Sequence, residues 1–263
     1  MHNNSGECPN MIKLGDKWIL IYGAYKWVEY FVENFDAETL VFTAEKRGVV
    51  DYSYGPTHPN FWTRGLYATY TFPDPNGRCI MFGWVSGFEQ DRGWHGCLSL
   101  PRLLSLDQEW NLIQTPAPEL ESLRGQHRHI ENLKVEDETI RLQWVDGDTI
   151  EILAEFAREN TATMGLRLRC NGTRDKTVNL IYANGILNIA GTRVPVDLDE
   201  PSNALKLHVF LDRSVIEVFI NDGRSCVTRV IYPSPNDLGI SVFSENGSVT
   251  LKSFDSWQME SVW

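Results

Sequence analysis

Hydrophobic and polar residues follow strand spacing along almost the whole chain. Apolar runs of strand length occur at 17–22 and 79–84, and apolar and polar residues alternate through 214–220. Long stretches with the period of a helix are missing, and only the short segment 117–124 has helical spacing. This pattern predicts an all-β protein with one short helix.

Turn sequences between these runs predict antiparallel pairs of strands. An Asp-Pro-Asn-Gly turn at 74–77 precedes the run at 79–84, so its two flanks are expected to form a hairpin. Asp-Gly-Asp at 146–148 separates two further runs and predicts a second hairpin. Asp-Arg at 212–213 separates the run at 206–211 from that at 214–220.

A proline-punctuated segment at 114–118, Gln-Thr-Pro-Ala-Pro, marks the best boundary between domains. Before it, strands are separated by longer aromatic loops, and after it they are short and evenly spaced with tight turns. The second pattern is typical of a sandwich. The sequence therefore predicts a β domain at 1–112, a linker at 113–126 and a β-sandwich at 127–263.

Composition and charge narrow the class of protein. The 263 residues are 42% hydrophobic and 22% charged, which are values of a globular chain. The net charge of -11 argues against general binding of nucleic acid or an anionic membrane, and no apolar run reaches membrane-spanning length. The N-terminus has neither the basic nor the apolar part of a signal peptide, so a cytoplasmic location is expected.

Searches for familiar chemical motifs return little. The five cysteines are odd in number and lack a Cys-x-x-Cys spacing, which argues against a disulfide framework or a zinc site. Motifs of nucleotide-binding proteins, metalloproteases and serine hydrolases are missing from the sequence. His127 and His129 could share one face of a strand, but without a third ligand they are predicted to be a solvated pair. No cofactor and no metal are expected.

Several segments in the same order resemble one enzyme family. They begin with Glu7-Cys8-Pro9 and continue at 66–72, 77–84, 92–102, 207–219 and 254–257. The stretch at 92–102, Arg-Gly-Trp-His-Gly-Cys-Leu-Ser-Leu-Pro-Arg, is the most diagnostic. Together they resemble glycoside hydrolase family 32, the family of invertases, inulinases and levanases, and the resemblance spans essentially the whole chain.

The resemblance implies a five-bladed β-propeller followed by a β-sandwich, and retaining hydrolysis of terminal fructosyl units in sucrose or fructans. Such chemistry uses two carboxyl groups, a nucleophile and an acid/base. Glu7 matches the acid/base, and Tyr67 and Trp84 match positions near the sugar, although either could be a core residue.

Other positions have weaker links to the sugar. Trp62 and Trp94 could stack on a sugar ring or pack in the core. Asp212 and Glu217 lie in a segment typical of the sandwich, where a structural role is expected.

The family's nucleophile motif, Asn-Asp-Pro-Asn-Gly, and its Arg-Asp-Pro motif do not occur ahead of Glu7. Asp74 lies in a similar-looking sequence, but its place identifies an ordinary hairpin turn. The chain therefore resembles about the last two blades of the propeller plus the sandwich.

Three explanations stay open. The chain could be a fragment, a subunit whose propeller is completed by another copy or another polypeptide, or a non-catalytic fructan-binding protein. The chain alone is expected to be inactive and to associate through its uncovered strands.

Overall fold

A computed structural model describes residues 6–23, 27–36, 38–53, 65–89, 93–170, 177–198 and 203–262. The described chain divides into two compact units. The first comprises Met1–Ala117 together with Gly223–Val230, and the second comprises Pro118–Asp222 together with Ile231–Trp263. Strands dominate both units, as the periodicity predicts. No helix among the described residues is long and apolar enough to cross a lipid bilayer.

The first sheet of the first unit is a four-stranded antiparallel meander. Its strands are β1 (Glu7–Leu14), β2 (Lys17–Gly23), β3 (Val28–Asp36) and β4 (Val41–Asp51), and they are neighbours in that order. Gly15 has φ +63° in the turn between β1 and β2, a conformation that costs glycine little because it has no Cβ. The predicted strand at 17–22 is confirmed as β2.

The second sheet contains β5 (Leu66–Pro73), β6 (Cys79–Val85), β7 (Cys97–Leu98), β8 (Arg102–Leu106) and β9 (Leu112–Pro116). Its order is β5-β6-β8-β9, with the short β7 also paired to β6. The predicted hairpin around 74–77 is confirmed as β5–β6. Asp74 closes this turn, because its carboxylate accepts hydrogen bonds from the backbone of Asn76 (2.9 Å) and Arg78 (2.8 Å).

The core of the first unit lies between these two sheets. Alternate residues of β2 and β3 supply one side of it, and residues of β5, β6, β8 and β9 supply the other. Its fully or almost fully buried members include Ile19, Ile21, Val28, Val32, Leu66, Met81 and Leu112. Since each such side chain gains about 1.5–3 kcal/mol from burial, this layer holds the two sheets together.

A short helix opens the second unit. The segment Pro118–Leu123 is a 3₁₀ helix, so the predicted helix at 117–124 is confirmed as a helix of the tighter type. The remaining strands of the chain are β10 (Arg124–Glu136), β11 (Thr139–Asp146), β12 (Thr149–Arg158), β13 (Thr163–Cys170), β14 (Val178–Ala183), β15 (Ile186–Ile189), β16 (Thr192–Pro195), β17 (Ala204–Asp212), β18 (Val215–Ile220), β19 (Ser225–Val230), β20 (Gly239–Glu245) and β21 (Ser248–Met259).

The second unit contains two antiparallel sheets, as predicted for a sandwich. In one, β10, β21, β12, β17 and β18 are neighbours in that order, and in the other the order is β11-β20-β13-β14-β15-β16. Both sheets bury alternating apolar side chains such as Ile152 on β12 and Leu166 on β13. The strand pair around 212–213 is confirmed as the β17–β18 hairpin, with Asp212 paired to Val215.

The hairpin predicted at 146–148 is wrong. The strand before this turn, β11, pairs with β20, whereas the strand after it, β12, pairs with β17 and β21 in the other sheet. An Asp-Gly-Asp turn signals only that the chain reverses. Here it forms an arch that carries the chain between the two sheets, so that both flanking strands can turn their apolar side chains towards one core.

Strand β19 belongs to the first unit although it is far away in sequence. Its Thr228 donates a backbone hydrogen bond to Asp51 (3.0 Å), and Cys226 accepts one from Tyr52 (2.9 Å). Arg102 donates to both Asp51 and the hydroxyl of Thr228 (3.1 and 2.6 Å). The sequence analysis places 223–230 in the sandwich domain, whereas the structure groups this segment with the first unit.

Candidate active site

Glu7 lies at the start of β1, where the strand is irregular. It is paired with Gly23 of β2, and the pairing register shifts between Glu7 and Asn10. Cys8, inside this irregularity, has φ +48°, which is uncommon for a residue with a side chain. Bulges of this kind redirect a side chain away from the regular alternation of a strand. The Glu7 carboxyl therefore has an orientation that a regular strand would not give it.

Asn10 fixes this bulge to the neighbouring sheet. Its buried side-chain amide donates to the carbonyl oxygens of Cys8 (2.9 Å) and Thr69 (2.7 Å). Its amide oxygen accepts hydrogen bonds from the backbone nitrogen and the hydroxyl of Thr71, at 2.9 and 3.2 Å. Both ends of the side-chain amide are satisfied, so the start of β1 is held in one position against β5.

Strand β5 has a matching irregularity. Its register against β6 shifts between Tyr67 and Tyr70, and Ala68 has φ +45°. At this bulge the Tyr67 hydroxyl donates a hydrogen bond of 3.1 Å to Glu7 Oε2. The Tyr67 ring lies directly over Gly23, since a Cβ at position 23 would come within 2.6 Å of Tyr67 Cζ. The glycine thus makes room for the ring that reaches Glu7.

Trp84 continues the same row. It is the cross-strand partner of Tyr67 in the β5–β6 pair and of Leu98 in the β6–β7 pair. The backbone of Gly96 packs against its indole, because a Cβ at position 96 would lie 2.0 Å from Trp84 Nε1. The three residues that the sequence singles out therefore form one row, with direct contact between Glu7 and Tyr67.

The row offers a half-buried carboxyl group, a phenol that donates to it and an indole nearby. A carboxyl group fixed in this way can donate and accept a proton at a defined place, which is what general acid/base catalysis requires. Aromatic rings beside a polar group are also common where sugars bind. The geometry is compatible with the roles expected of Glu7, Tyr67 and Trp84, whose assignment stays a prediction.

The other residues that the sequence singles out do not belong to this row. Trp94 is 46% exposed and packs one side against Phe88, with ring centroids 4.4 Å apart, so it is not a core residue. Asp74 is held by its own turn, including an ion pair of 2.7 Å with Arg78. Its bonds are those of a turn-closing residue. Glu217 is buried on β18 in the second unit, and Trp62 lies outside the described residues.

Sequence reasoning missed the residues that support this row. Asn10 makes four hydrogen bonds, to residues of β1 and β5, that leave no signal in the local sequence. Gly23 and Gly96 do carry a signal in the sequence. Gly23 directly follows Tyr22 at the end of β2, and Gly96 follows Trp94 and His95. A glycine at such a place indicates close approach of another group.

Comparison with known families covers nearly the whole chain. The profile described as "Glycosyl hydrolases family 32 N-terminal domain" matches residues 2–116. The profile described as "Glycosyl hydrolases family 32 C terminal" matches residues 119–258. The two matches meet where the structure divides, between Ala117 and Pro118.

Individual relatives point the same way. The chain is 26% identical to a levanase of Bacillus subtilis (strain 168), over 100% of this chain and 44% of the levanase. It is 27% identical to a sucrose-6-phosphate hydrolase of Escherichia coli, over 96% of this chain and 55% of that protein. The chain thus spans about half the length of these relatives.

A solved structure supports the fold. Fructan 1-exohydrolase IIa from Cichorium intybus superposes with a TM-score of 0.85 at 18% identity, over 97% of this chain and 62% of that chain. This likeness confirms the predicted fold class, part of a β-propeller followed by a β-sandwich.

Proposed function

Because the chain belongs to glycoside hydrolase family 32, we propose that it takes part in β-fructofuranosidase-type hydrolysis, with Glu7 as the acid/base. The substrates would be terminal fructosyl units of sucrose or fructans, the class suggested by the names of its relatives. The observation that carries the proposal is the Glu7–Tyr67 hydrogen bond at two facing bulges. Residues with strained backbone conformations, such as Cys8 and Ala68 at these bulges, are typical of functional sites.

In this proposal Glu7 acts twice. It first gives its proton to the oxygen of the leaving group while a nucleophilic carboxylate attacks the anomeric carbon. It then takes a proton from water, which displaces the carboxylate and releases fructose with retained configuration. The nucleophile is to be supplied by residues outside these 263, on a segment with the Asn-Asp-Pro-Asn-Gly motif. Tyr67 positions Glu7, and Trp84 forms an aromatic wall for the sugar.

The direct test is reconstitution. A polypeptide with both missing motifs, taken from the N-terminal half of a family member, is mixed or co-expressed with this chain. Fructose released from sucrose and inulin is then measured. We expect release only when both polypeptides are present, and loss of release with Glu7→Gln. Glu38→Gln, at an exposed position of the same unit, is the matched control and should keep full activity.

The proposal has clear contrary outcomes. Release by the 263-residue chain alone that is abolished by Glu7→Gln would mean that it carries its own nucleophile. Release by the pair that survives Glu7→Gln would remove Glu7 from the mechanism.

We propose that the partner in this reconstitution binds the outward-facing side of the first sheet. The face of the β1–β4 sheet that points away from the core carries half-buried aromatic residues, which form two contacts. Trp18 meets Phe35 edge to face at 5.9 Å, and Tyr22 stacks on Phe31 at 5.7 Å. We call this the outer face. Its apolar area resembles surface that another layer normally covers.

The outer face carries charges of both signs. Glu29 and Glu33 lie on it as cross-strand partners of Tyr22 and Trp18, and the exposed Arg47 of β4 is the partner of Phe31. A chain that covers this face therefore needs apolar residues opposite the aromatic rings and charges complementary to Glu29 and Arg47. We propose that the separate N-terminal polypeptide of the reconstitution supplies them.

Light scattering tests this proposal. The proposal predicts that the chain alone self-associates weakly or aggregates and that it forms a 1:1 complex with the N-terminal polypeptide. Phe31→Glu, on the outer face, should abolish the complex, while Trp144→Glu, exposed in the second unit, should not. A stable symmetric dimer that excludes the N-terminal polypeptide would contradict the proposal.

A second candidate is a non-catalytic fructan-binding protein. It is favoured by the aromatic row itself, since Tyr67 and Trp84 could hold a sugar without any nucleophile. Calorimetric titration of the chain with inulin tests it. Binding that is lost with Trp84→Ala, unchanged with Trp144→Ala, and never followed by hydrolysis in the reconstituted pair would favour this candidate.

A further inference from the structure

Two imidazoles and a carboxylate converge on the surface of the second unit. His127 and His129 are two residues apart on β10, so their side chains share one face of that strand. Asp255 on β21 is the cross-strand partner of His129. Its Oδ1 lies 2.8 Å from His127 Nε2 and 2.8 Å from His129 Nδ1. The third ligand that the sequence analysis found missing therefore comes from the neighbouring strand, 126 residues away.

The distances suit a metal ion. The potential ligand atoms of the three side chains all lie within 4.8 Å of one another. Zn²⁺ binds imidazole nitrogen at about 2.0–2.1 Å and carboxylate oxygen at about 2.0–2.2 Å. In a tetrahedral arrangement these bonds place ligand atoms about 3.3 Å apart. The two contacts of Asp255 Oδ1, at 2.8 Å each, would lengthen by about half an ångström. Any wider separation in the set, which reaches 4.8 Å at most, would close by up to about 1.5 Å, and rotation of the partly exposed side chains allows both changes.

The surroundings hold the two imidazoles in place. The His127 ring stacks on Trp257, with centroids 4.7 Å apart and planes 12° apart. His129 presents its other nitrogen, Nε2, to Glu131 at 3.0 Å. A carboxylate on the far nitrogen of a metal-binding histidine fixes its tautomer and orientation. An ordinary solvated pair of histidines has neither a shared carboxylate nor such support.

We propose that His127, His129 and Asp255 bind a divalent transition metal ion, with Zn²⁺ as the best match to two imidazoles and one carboxylate. Water completes the coordination, since the site is open to solvent. Strand β10 is the edge of its sheet, and the ion would join it to β21. The ion therefore stabilises the attachment of the edge strand β10 to the sandwich. This role is independent of the chemistry proposed for Glu7.

The experiment uses the full chain without an affinity tag, titrated with Zn²⁺ alone by calorimetry and with Co²⁺ by visible absorption. We expect one saturable site, and a rise in the melting temperature with Zn²⁺, since a ligand that binds only the folded state stabilises it. His129→Gln and Asp255→Asn should each weaken binding by more than about 100-fold. Glu131→Gln, which affects orientation only, should weaken it by about tenfold.

His95→Gln, at an exposed histidine of the first unit, is the control and should leave binding unchanged. The four substituted positions of the site are at least partly exposed, so the variants should fold, and circular dichroism verifies this. The proposal is overturned if the wild-type chain shows no saturable site up to about millimolar Zn²⁺. It is equally overturned if the double variant His127→Gln/His129→Gln keeps the site.

Discussion

Each unit buries a glutamate in a strand, and the two are satisfied very differently. Glu151 on β12 is 1% exposed and receives two hydrogen bonds of 2.8 Å from Arg124 and one contact of 2.7 Å from His208. Glu33 on β3 is also 1% exposed. Its Oε2 has no hydrogen-bond partner in the part of the chain that the structure describes. The same residue type thus has a complete set of partners in one unit and an incomplete one in the other.

The difference shows in the two pKa values. Burial opposes ionisation of Glu151, but the hydrogen bonds from Arg124 and His208 outweigh it and lower the pKa. For Glu33, burial acts without such compensation and raises the pKa to about 7. Both partners of Glu151, Arg124 on β10 and His208 on β17, come from strands of the second unit. On the outer face of the first unit, the described residues supply no hydrogen-bond partner for Glu33 Oε2.

The largest effect is expected where the first unit does satisfy a buried carboxylate. Arg102 and Asp51 are fully buried and form an ion pair of 3.1 Å. Arg102→Met would leave Asp51 buried without its cation, which costs about 3–5 kcal/mol. Hydrogen exchange followed by mass spectrometry should show this loss in β4, β8 and β19, and no change in the β14–β15 hairpin.

Arg78→Met is the matched control, since its ion pair with Asp74 is partly exposed and should be worth less than about 1 kcal/mol. An equal loss of protection in both variants would mean that the Asp51 network does not hold β19 in the first unit.

The next effect is a pair of opposite pH dependences. The pKa of Glu33 is 4.5 in the unfolded chain and about 7 in the folded protein. The folded state therefore has its full stability below pH 4.5 and loses part of it as the pH rises through about 7, because the buried carboxyl then has to ionise. Replacing Glu33 by Gln should therefore stabilise the first unit by about 2–3 kcal/mol at pH 8 and change little at pH 4.5.

For Glu151 the sign is reversed. A lowered folded pKa gives stability above the unfolded value of 4.5 that is lost as the pH falls through the folded value. Glu151→Gln should destabilise the second unit by about 3 kcal/mol at pH 7, and by less at pH 3. Exchange rates measured across this range check both variants. Parallel pH dependences in the two units would break the comparison.

The two units also differ in what their sequences predict. Regular alternation and tight turns were enough for the β17–β18 hairpin, because pairing there is local. The arch at 146–148 was misread, since a turn does not say which sheet receives the next strand. Glu7, Tyr67 and Trp84 came from family resemblance alone. The supporting bonds of Asn10 join residues about 60 positions apart, and nothing local in the sequence encodes them.

A smaller effect is expected at Asn10, whose side chain holds the bulge at the start of β1. The Asn10 amide donates to the carbonyl oxygens of Cys8 and Thr69, which a carboxylate cannot do. Asn10→Asp should therefore cost about 2 kcal/mol at neutral pH, by placing an unpaired charge against two acceptors. The loss should shrink in acid, where a protonated carboxyl can donate one hydrogen bond.

Denaturant unfolding at pH 7 and pH 4 measures the Asn10 effect. Asn188→Asp is the control. Its side-chain oxygen accepts a hydrogen bond from Gly191, and a carboxylate preserves that bond. If Asn10→Asp proves as harmless as Asn188→Asp, the bulge at Cys8 is not held by the Asn10 amide.

The smallest effect on stability, and the most informative for the site, is expected from Tyr67→Phe. The ring keeps its place over Gly23, and only the 3.1 Å hydrogen bond to Glu7 is lost, so stability should fall by about 1 kcal/mol or less. In the reconstituted pair we expect kcat to fall about tenfold with KM nearly unchanged, because Tyr67 positions the acid/base and does not hold the ground-state sugar. Trp84→Phe should show the converse, a raised KM with a smaller change in kcat, since Trp84 is proposed to contact the sugar. If Tyr67→Phe raises KM and leaves kcat intact, Tyr67 binds substrate and Glu7 is oriented by the bulges alone.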